Sequence, residues 1–296
     1  MHAFKSNDMH QHMKNLAIAV LAFFVMTSCE KEDPTTITSD LTKLEQAFTE
    51  TGQNAVGTTV IRNSSGRARF KIYYPANLSQ GTPVITWGNG TNTQPEDYTN
   101  IHSHLASWGF IVIDNYERGT VKGDSILEAA KFMVRQNTNS NSIFYQKIDV
   151  NRIGAVGHSQ GASGVVNAYA NQAGGDIIKT IVPISLPRNG LVPSSPEKVR
   201  VPIFFITDTD DPYVSPLSVN RIAYDKLPSG VPAALALRKT ADHEAIRLTT
   251  MQHGYVTAWL LFQLMNNSDA GKVFRGSTPE LVTNPNWQDV SMKNIL

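Results

Sequence analysis

The 296-residue chain has little cysteine, little net charge and little room for a membrane span, and each scarcity narrows what it can be. One cysteine, Cys29, means that no disulfide can form within the chain. A formal net charge of +1 offers no electrostatic case for a nucleic-acid partner, and a charged share of 17% argues against a long disordered acidic or basic tail. The apolar run Leu16–Met26 is too short to cross a bilayer as a stable helix. Nothing resembles a phosphate loop or a dinucleotide fingerprint. His102 and His104 stand two apart on a predicted helix and so face different ways, a poor metal pair. No cofactor and no metal are expected.

What is present suits one large α/β domain behind a leader: apolar residues make up 41%, enough for a sizeable core. Lys14 and Asn15 precede the Leu16–Met26 run, which has the length of a signal-peptide core. Thr27-Ser28-Cys29 follows it and resembles a bacterial lipobox, whose cysteine is lipidated and becomes the first mature residue, although Met26 stands where that pattern prefers Leu. Met13 would give a more compact start than Met1. Residues 1–29 are therefore expected to direct export, to an outer membrane or cell surface through lipidated Cys29 or, alternatively, to the periplasm or medium. Residues 30–37 read as a polar tether and 38–296 as the catalytic domain, expected to act as a monomer.

Leu41, Leu44 and Phe48 suggest a helix over 38–51. Thr58–Arg62 and Phe70–Tyr74, split by Asn63-Ser-Ser-Gly66, predict a hairpin. Short apolar runs then alternate with helical stretches: 84–87, 110–113, 152–156, 181–184, 203–206 and 233–237 as strands, with helices near 97–107, 125–136, 160–171, 218–226 and 256–265. Apolar strands without alternation belong in a sheet buried on both faces. The fold class is α/β, with a mostly parallel central sheet, antiparallel strands at its N-terminal edge and helices on both faces. The tail 266–296 is expected to pack over the sheet edge with little regular structure.

Gly157-His-Ser-Gln-Gly161 is a G-x-S-x-G pattern between a predicted strand and a predicted helix. A tight strand-to-helix turn strains the serine and lifts its oxygen above the sheet, which makes Ser159 the candidate nucleophile. A base and an acid should follow it. His243 sits in a loop just after the strand 233–237, where its ring can reach the serine; His253, at the entrance to the last helix, suits a capping or surface role. Asp208, Asp210 and Asp211 crowd the loop after 201–206, and three carboxylates cannot serve one imidazole. Asp211 is preferred, with Asp210 second, because Asp211-Pro-Tyr-Val214 has a form whose valine should pack inward and begin the next helix. Two backbone N–H groups should receive a developing oxyanion: that of Gln160, and that of Asn89 in Gly88-Asn-Gly-Thr91, with Thr91 as the alternative.

Together these residues resemble the cutinase and polyester-hydrolase branch of the α/β-hydrolases, with dienelactone hydrolases as wider relatives, over roughly 57–274. The likeness rests on Trp87-Gly-Asn-Gly-Thr91, His104-Leu-Ala-Ser-Trp-Gly-Phe110, the Ser159 motif, Val201-Pro202 with Asp211, Ala241-Asp-His243, and Tyr255-Val-Thr-Ala-Trp-Leu260. It implies the α/β-hydrolase fold, a Ser159–His243–Asp211 triad, an acyl-enzyme route, and a small-molecule or polymeric ester as substrate. Two features depart from it. Members that cut poly(ethylene terephthalate) usually carry a tryptophan after the strand 181–184, where this chain has Ser185-Leu-Pro-Arg-Asn189, and no cysteine is available for their C-terminal disulfide. Both count against aromatic polyesters, and neither touches the triad. A peptidase on the same scaffold and an inactive binding lipoprotein remain the other readings.

Overall fold

The computed structural model describes residues 42–188 and 193–296. The leader, Cys29, the tether and Asn189 lie outside the described residues. A single mixed sheet of nine strands organises the rest, in the order β1-β2-β4-β3-β5-β6-β7-β8-β9. The hairpin forms from β1 (Val56–Arg62) and β2 (Ala68–Pro75). Its turn is held by Asn63, whose Oδ1 accepts from the N–H of Ser65 at 3.1 Å and of Arg67 at 3.0 Å. β2 also runs antiparallel to β4, whereas β4 (Ile111–Asn115), β3 (Thr82–Gly88), β5 (Ile148–His158), β6 (Ile178–Ile184), β7 (Ile203–Asp208) and β8 (Ala233–Arg238) are mutually parallel. β3, β4, β7 and β8 are buried at every position, which is why their sequences carry no alternation.

Helices cover both faces. α1 (Lys43–Thr49), α2 (Thr99–Ser107) and, later in the chain, His253–Met265 bury one apolar cluster around Trp87, Trp259 and Phe274. α3 (Asp124–Thr138), α4 (Gln160–Ala170) and α5 (Leu217–Asp225) close the other face over Ile126, Val165, Phe205 and Leu235. α6 (Ala245–Leu248) is a single turn, and α7 is the His253–Met265 helix. Among the described residues no helix is long and apolar enough to cross a membrane.

The tail departs from expectation. It forms α8 (Ser268–Gly271), α9 (Glu280–Thr283) and an edge strand, β9 (Trp287–Lys293), antiparallel to β8. Polar side chains suit an edge strand with one open side, so β9 lacks the apolar run that marks the inner strands. The same tail fastens α1. The Glu280 carboxylate accepts from the N–H of Leu44 at 3.0 Å and of Glu45 at 2.8 Å, satisfying orphan donors at the helix start. The buried Glu45 carboxylate in turn accepts from Trp287 Nε1 at 2.7 Å and Asn284 Nδ2 at 2.7 Å.

Candidate active site

The parallel strands deliver Asn89, Ser159, Asp211 and His243 at or just past the C-terminal ends of β3, β5, β7 and β8 respectively, the end where open α/β sheets assemble their sites. Ser159 joins β5 directly to α4 with φ 55° and ψ −123°, a conformation that costs an L-residue of order 1–3 kcal/mol and persists only where its surroundings enforce it. The enforcement comes from its own N–H, which donates to Ile184 O at 3.0 Å, and from two glycines. A Cβ on Gly157 would stand 2.3 Å from Gly161 O, and one on Gly161 would stand 2.0 Å from Gly88 O. No side chain fits at either place.

Ser159 Oγ lies 2.9 Å from His243 Nε2, and His243 Nδ1 lies 2.5 Å from Asp211 Oδ2. A carboxylate can only accept, so Nδ1 carries the proton and Nε2 presents its lone pair to the serine hydroxyl. Burial alone would lower the His243 pKa; the hydrogen bond and charge of Asp211 outweigh it, and the net shift is upward. Asp211 Oδ1 accepts from Val214 N at 3.2 Å, which fixes the carboxylate's second oxygen.

The three acids separate cleanly. Asp210 is exposed and accepts from Thr209 Oγ1 at 2.9 Å, while its N–H donates to Ala241 O and ties the acid loop to the His243 loop. Asp208 is buried, accepting from Ser185 Oγ at 2.7 Å and Gln252 Nε2 at 2.6 Å. Val214, expected to pack inward and begin a helix, is 37% exposed. Its carbonyl accepts from Arg188 N, and Ser215 and Pro216 intervene before α5.

His253 is neither a cap nor a surface residue. It opens α7 fully buried, its ring 5.1 Å from that of His104, and burial followed by the neighbouring His104 pushes its pKa well below the ordinary value. His102 and His104 point apart as expected: His102 packs edge-on to Trp87, and His104 Nε2 meets Phe48 O at 3.1 Å.

The loop that carries Asn89 sits against the elbow, with Asn89 O beside Gly161. Gly90 N–H is already committed to Tyr98 Oη at 2.9 Å, and Thr91 is exposed. Gln160, first residue of α4, has an N–H without an intrahelical acceptor. Its side chain donates to Gly90 O at 3.2 Å and Arg118 O at 2.5 Å, pinning the Asn89 loop to the elbow.

A family model described as PET hydrolase-like matches residues 31–288. The chain belongs to the PET hydrolase-like family. The match reaches further at both ends than the resemblance over 57–274, taking in α1, α9 and the start of β9. As a PET hydrolase-like protein the chain is a hydrolase, of a family whose substrates are small-molecule or polymeric esters. Among the described residues no three His, Cys, Asp or Glu side chains gather as a metal site.

Two features of this site escaped sequence reasoning, the place of His158 and the burial of Asp208. His158, the first of the two variable residues of the motif, is buried beside His243 with ring centroids 4.8 Å apart. Asp208 has its pKa pushed up to about 7, first by burial and only partly offset by its two hydrogen bonds. The second shift has a stability consequence. The folded chain keeps a proton on Asp208 that the unfolded chain loses near the ordinary 3.8, so stability falls as pH rises from about 4 to about 7. Asp208→Asn cannot ionise. In thermal melts it should match the wild type near pH 4 and exceed it by several degrees at pH 8, at roughly 2–4 °C per kcal/mol. An equal Tm difference at both pH values would show that ionised Asp208 carries no penalty.

Proposed function

We propose that this PET hydrolase-like protein cleaves carboxylic esters through an acyl-enzyme on Ser159, with His243 as general base and then general acid and Asp211 as its orienting carboxylate. The observation that carries this reading is the unbroken path from Asp211 Oδ2 through His243 to Ser159 Oγ at a strained strand–helix turn. His243 takes the serine proton as Oγ attacks the ester carbon, then returns it to the departing alcohol. The N–H groups of Asn89 and Gln160 receive the oxyanion. Water repeats the cycle and frees the acid.

Tyr213, 85% exposed two residues past Asp211, offers an apolar rim for an acyl chain or a polymer segment. After β6 the segment Ser185–Arg188 carries no aromatic ring, which favours aliphatic over aromatic esters. Turnover of para-nitrophenyl esters from acetate to decanoate, beside aliphatic and terephthalate polyester films, tests the reading. Hydrolysis of the soluble esters and the aliphatic film, with little release from the terephthalate film, is expected. Amide or peptide turnover exceeding ester turnover would replace it with a peptidase.

The leader supports a second part of the proposal: export and lipidation at Cys29, which leaves the hydrolase domain on a membrane by a short leash. A single acyl chain anchors only marginally, whereas the several of a lipoprotein hold stably. Labelled palmitate should enter the wild-type protein in a bacterial host. Cys29→Ser should remove both the label and the membrane partition, and an unlabelled soluble wild type would make the protein an ordinary secreted enzyme.

A further inference from the structure

We propose that His158 and Tyr98 are positioning residues that hold the backbone of His243 and couple it to the Asn89 loop through one directed line of hydrogen bonds. The inference rests on His243 being the base.

The line runs Gly90 N–H to Tyr98 Oη at 2.9 Å, Tyr98 Oη to His158 Nδ1 at 2.9 Å, and His158 Nε2 to His243 O at 2.7 Å. Its direction follows from donor chemistry. His243 O can only accept, so His158 Nε2 must carry a hydrogen. In a neutral imidazole Nδ1 is then a bare acceptor, and the only hydrogen that can fill it is the Tyr98 hydroxyl's. That leaves the Tyr98 oxygen lone pairs for Gly90 N–H and for the Thr93 hydroxyl, 3.1 Å away. Each member thus sets the orientation of the next.

Both side chains are buried, Tyr98 fully and His158 to 2% exposure, so no solvent competes for these bonds. Burial, then the proximity of His243, depresses the His158 pKa to about 3, which keeps the ring in the neutral form the line requires. The groups facing it are the tilted ring of His243 on one side, Tyr98 on the other, and Arg247 and Asp211 at longer range. Tyr98 is wedged against Trp87 at 5.1 Å between centroids. The two ends of the line are the two things that must stay in register for acyl transfer: the base, and the loop proposed to receive the oxyanion. Residues 90, 98, 158 and 243 come from four separate loops or element ends, and this line ties them together.

Tyr98→Phe keeps the ring and deletes the hydroxyl. His158 can then place its hydrogen on either nitrogen, and the bond to His243 O weakens. We expect kcat to fall about tenfold with KM within about twofold, the size of one buried hydrogen bond lost away from the substrate. His158→Gln puts an amide N–H where Nε2–H was, and an amide has no tautomer to control. It should lower kcat severalfold through lost ring packing against His243, and adding Tyr98→Phe to it should lower kcat by less than about a further twofold. Full activity of Tyr98→Phe, or equal losses in the two backgrounds, would overturn the relay.

Ring-nitrogen NMR of the wild-type protein decides the matter without any variant. His158 should be the Nε2–H tautomer and stay so across the range from about pH 5 to about pH 9; an Nδ1–H or titrating ring overturns the proposal. The tautomer is read without turnover, so a wrong nucleophile, seen as an active Ser159→Ala enzyme, and a wrong relay fail separately.

Discussion

Ser159→Ala should lower kcat on every ester the wild type hydrolyses by on the order of 10⁶ while leaving the fold intact. The size follows from what the hydroxyl does. Without Oγ no acyl-enzyme can form, and His243 has nothing to deprotonate but water held at no fixed place. The Asn89 and Gln160 amides and the binding surface would still favour a tetrahedral intermediate, which leaves a residue of catalysis above the solution rate. Stability should hardly move. Alanine occupies the same volume without the hydroxyl, and at φ 55° it is strained no more than serine. The bond from the residue 159 N–H to Ile184 O does not depend on the side chain. Initial rates on para-nitrophenyl acetate, with a fluorophosphonate adduct located by mass spectrometry, check it. Turnover above about a hundredth of wild type, or an adduct elsewhere, would move the nucleophile.

That serine is legible because the elbow has a dense signature: an apolar strand, a glycine two residues to each side of Ser159 and a helix of small residues behind it. The contacts explain the density, since Gly157 and Gly161 each meet backbone too closely for a Cβ. His243 was legible by order and by its loop. The inner strands were legible because burial on both faces leaves no choice but apolar side chains.

What escaped has equally physical reasons. β9 is an edge strand, half open, with Trp287 as its one buried residue, so its sequence resembles a loop. His253 looked like a surface histidine because a histidine at a helix start is usually one. Only the packing of α7 on α1 and α2 shows it sealed against His104. Val214 was read from a pattern that places it inward, but a clamp from Arg188 to the 212–214 carbonyls holds that segment at the surface. The His158 line could not be seen at all. Its bonds join residues 60 and 85 positions apart, and the motif leaves the position before its serine unconstrained. Among the three acids the sequence narrows the choice, and geometry brings one of them to the imidazole. Asp208 faces Ser185 and Gln252, Asp210 faces solvent, and Asp211 faces the imidazole.

Asp211→Asn tests that choice and should lower kcat by roughly 10⁴ without unfolding the protein. An amide is nearly isosteric with the carboxylate, and its oxygen can still accept from Val214 N–H. Toward His243, however, the amide can rotate its NH₂ onto Nδ1. The imidazole must then hold its hydrogen on Nε2, the nitrogen that should receive the serine proton, and the wrong tautomer blocks the first step. The pH profile gives a second reading of the same bond. In the proposed mechanism activity needs neutral His243, and Asp211 holds its pKa above the ordinary value of 6.5 against the downward pull of burial. The acid limb of kcat/KM in the wild type should therefore lie above pH 6.5, with activity lost as pH falls through it. Removing the charge leaves burial unopposed by its main adversary, so the limb of the residual activity should move to lower pH. Asp210→Asn should stay within about tenfold of the wild type with an unmoved limb, because its carboxylate is exposed and hydrogen-bonded to Thr209, away from the imidazole. If Asp210→Asn instead gives the large loss and the shifted limb, the acid is its neighbour, and the loop in solution is displaced by one residue from the register described above.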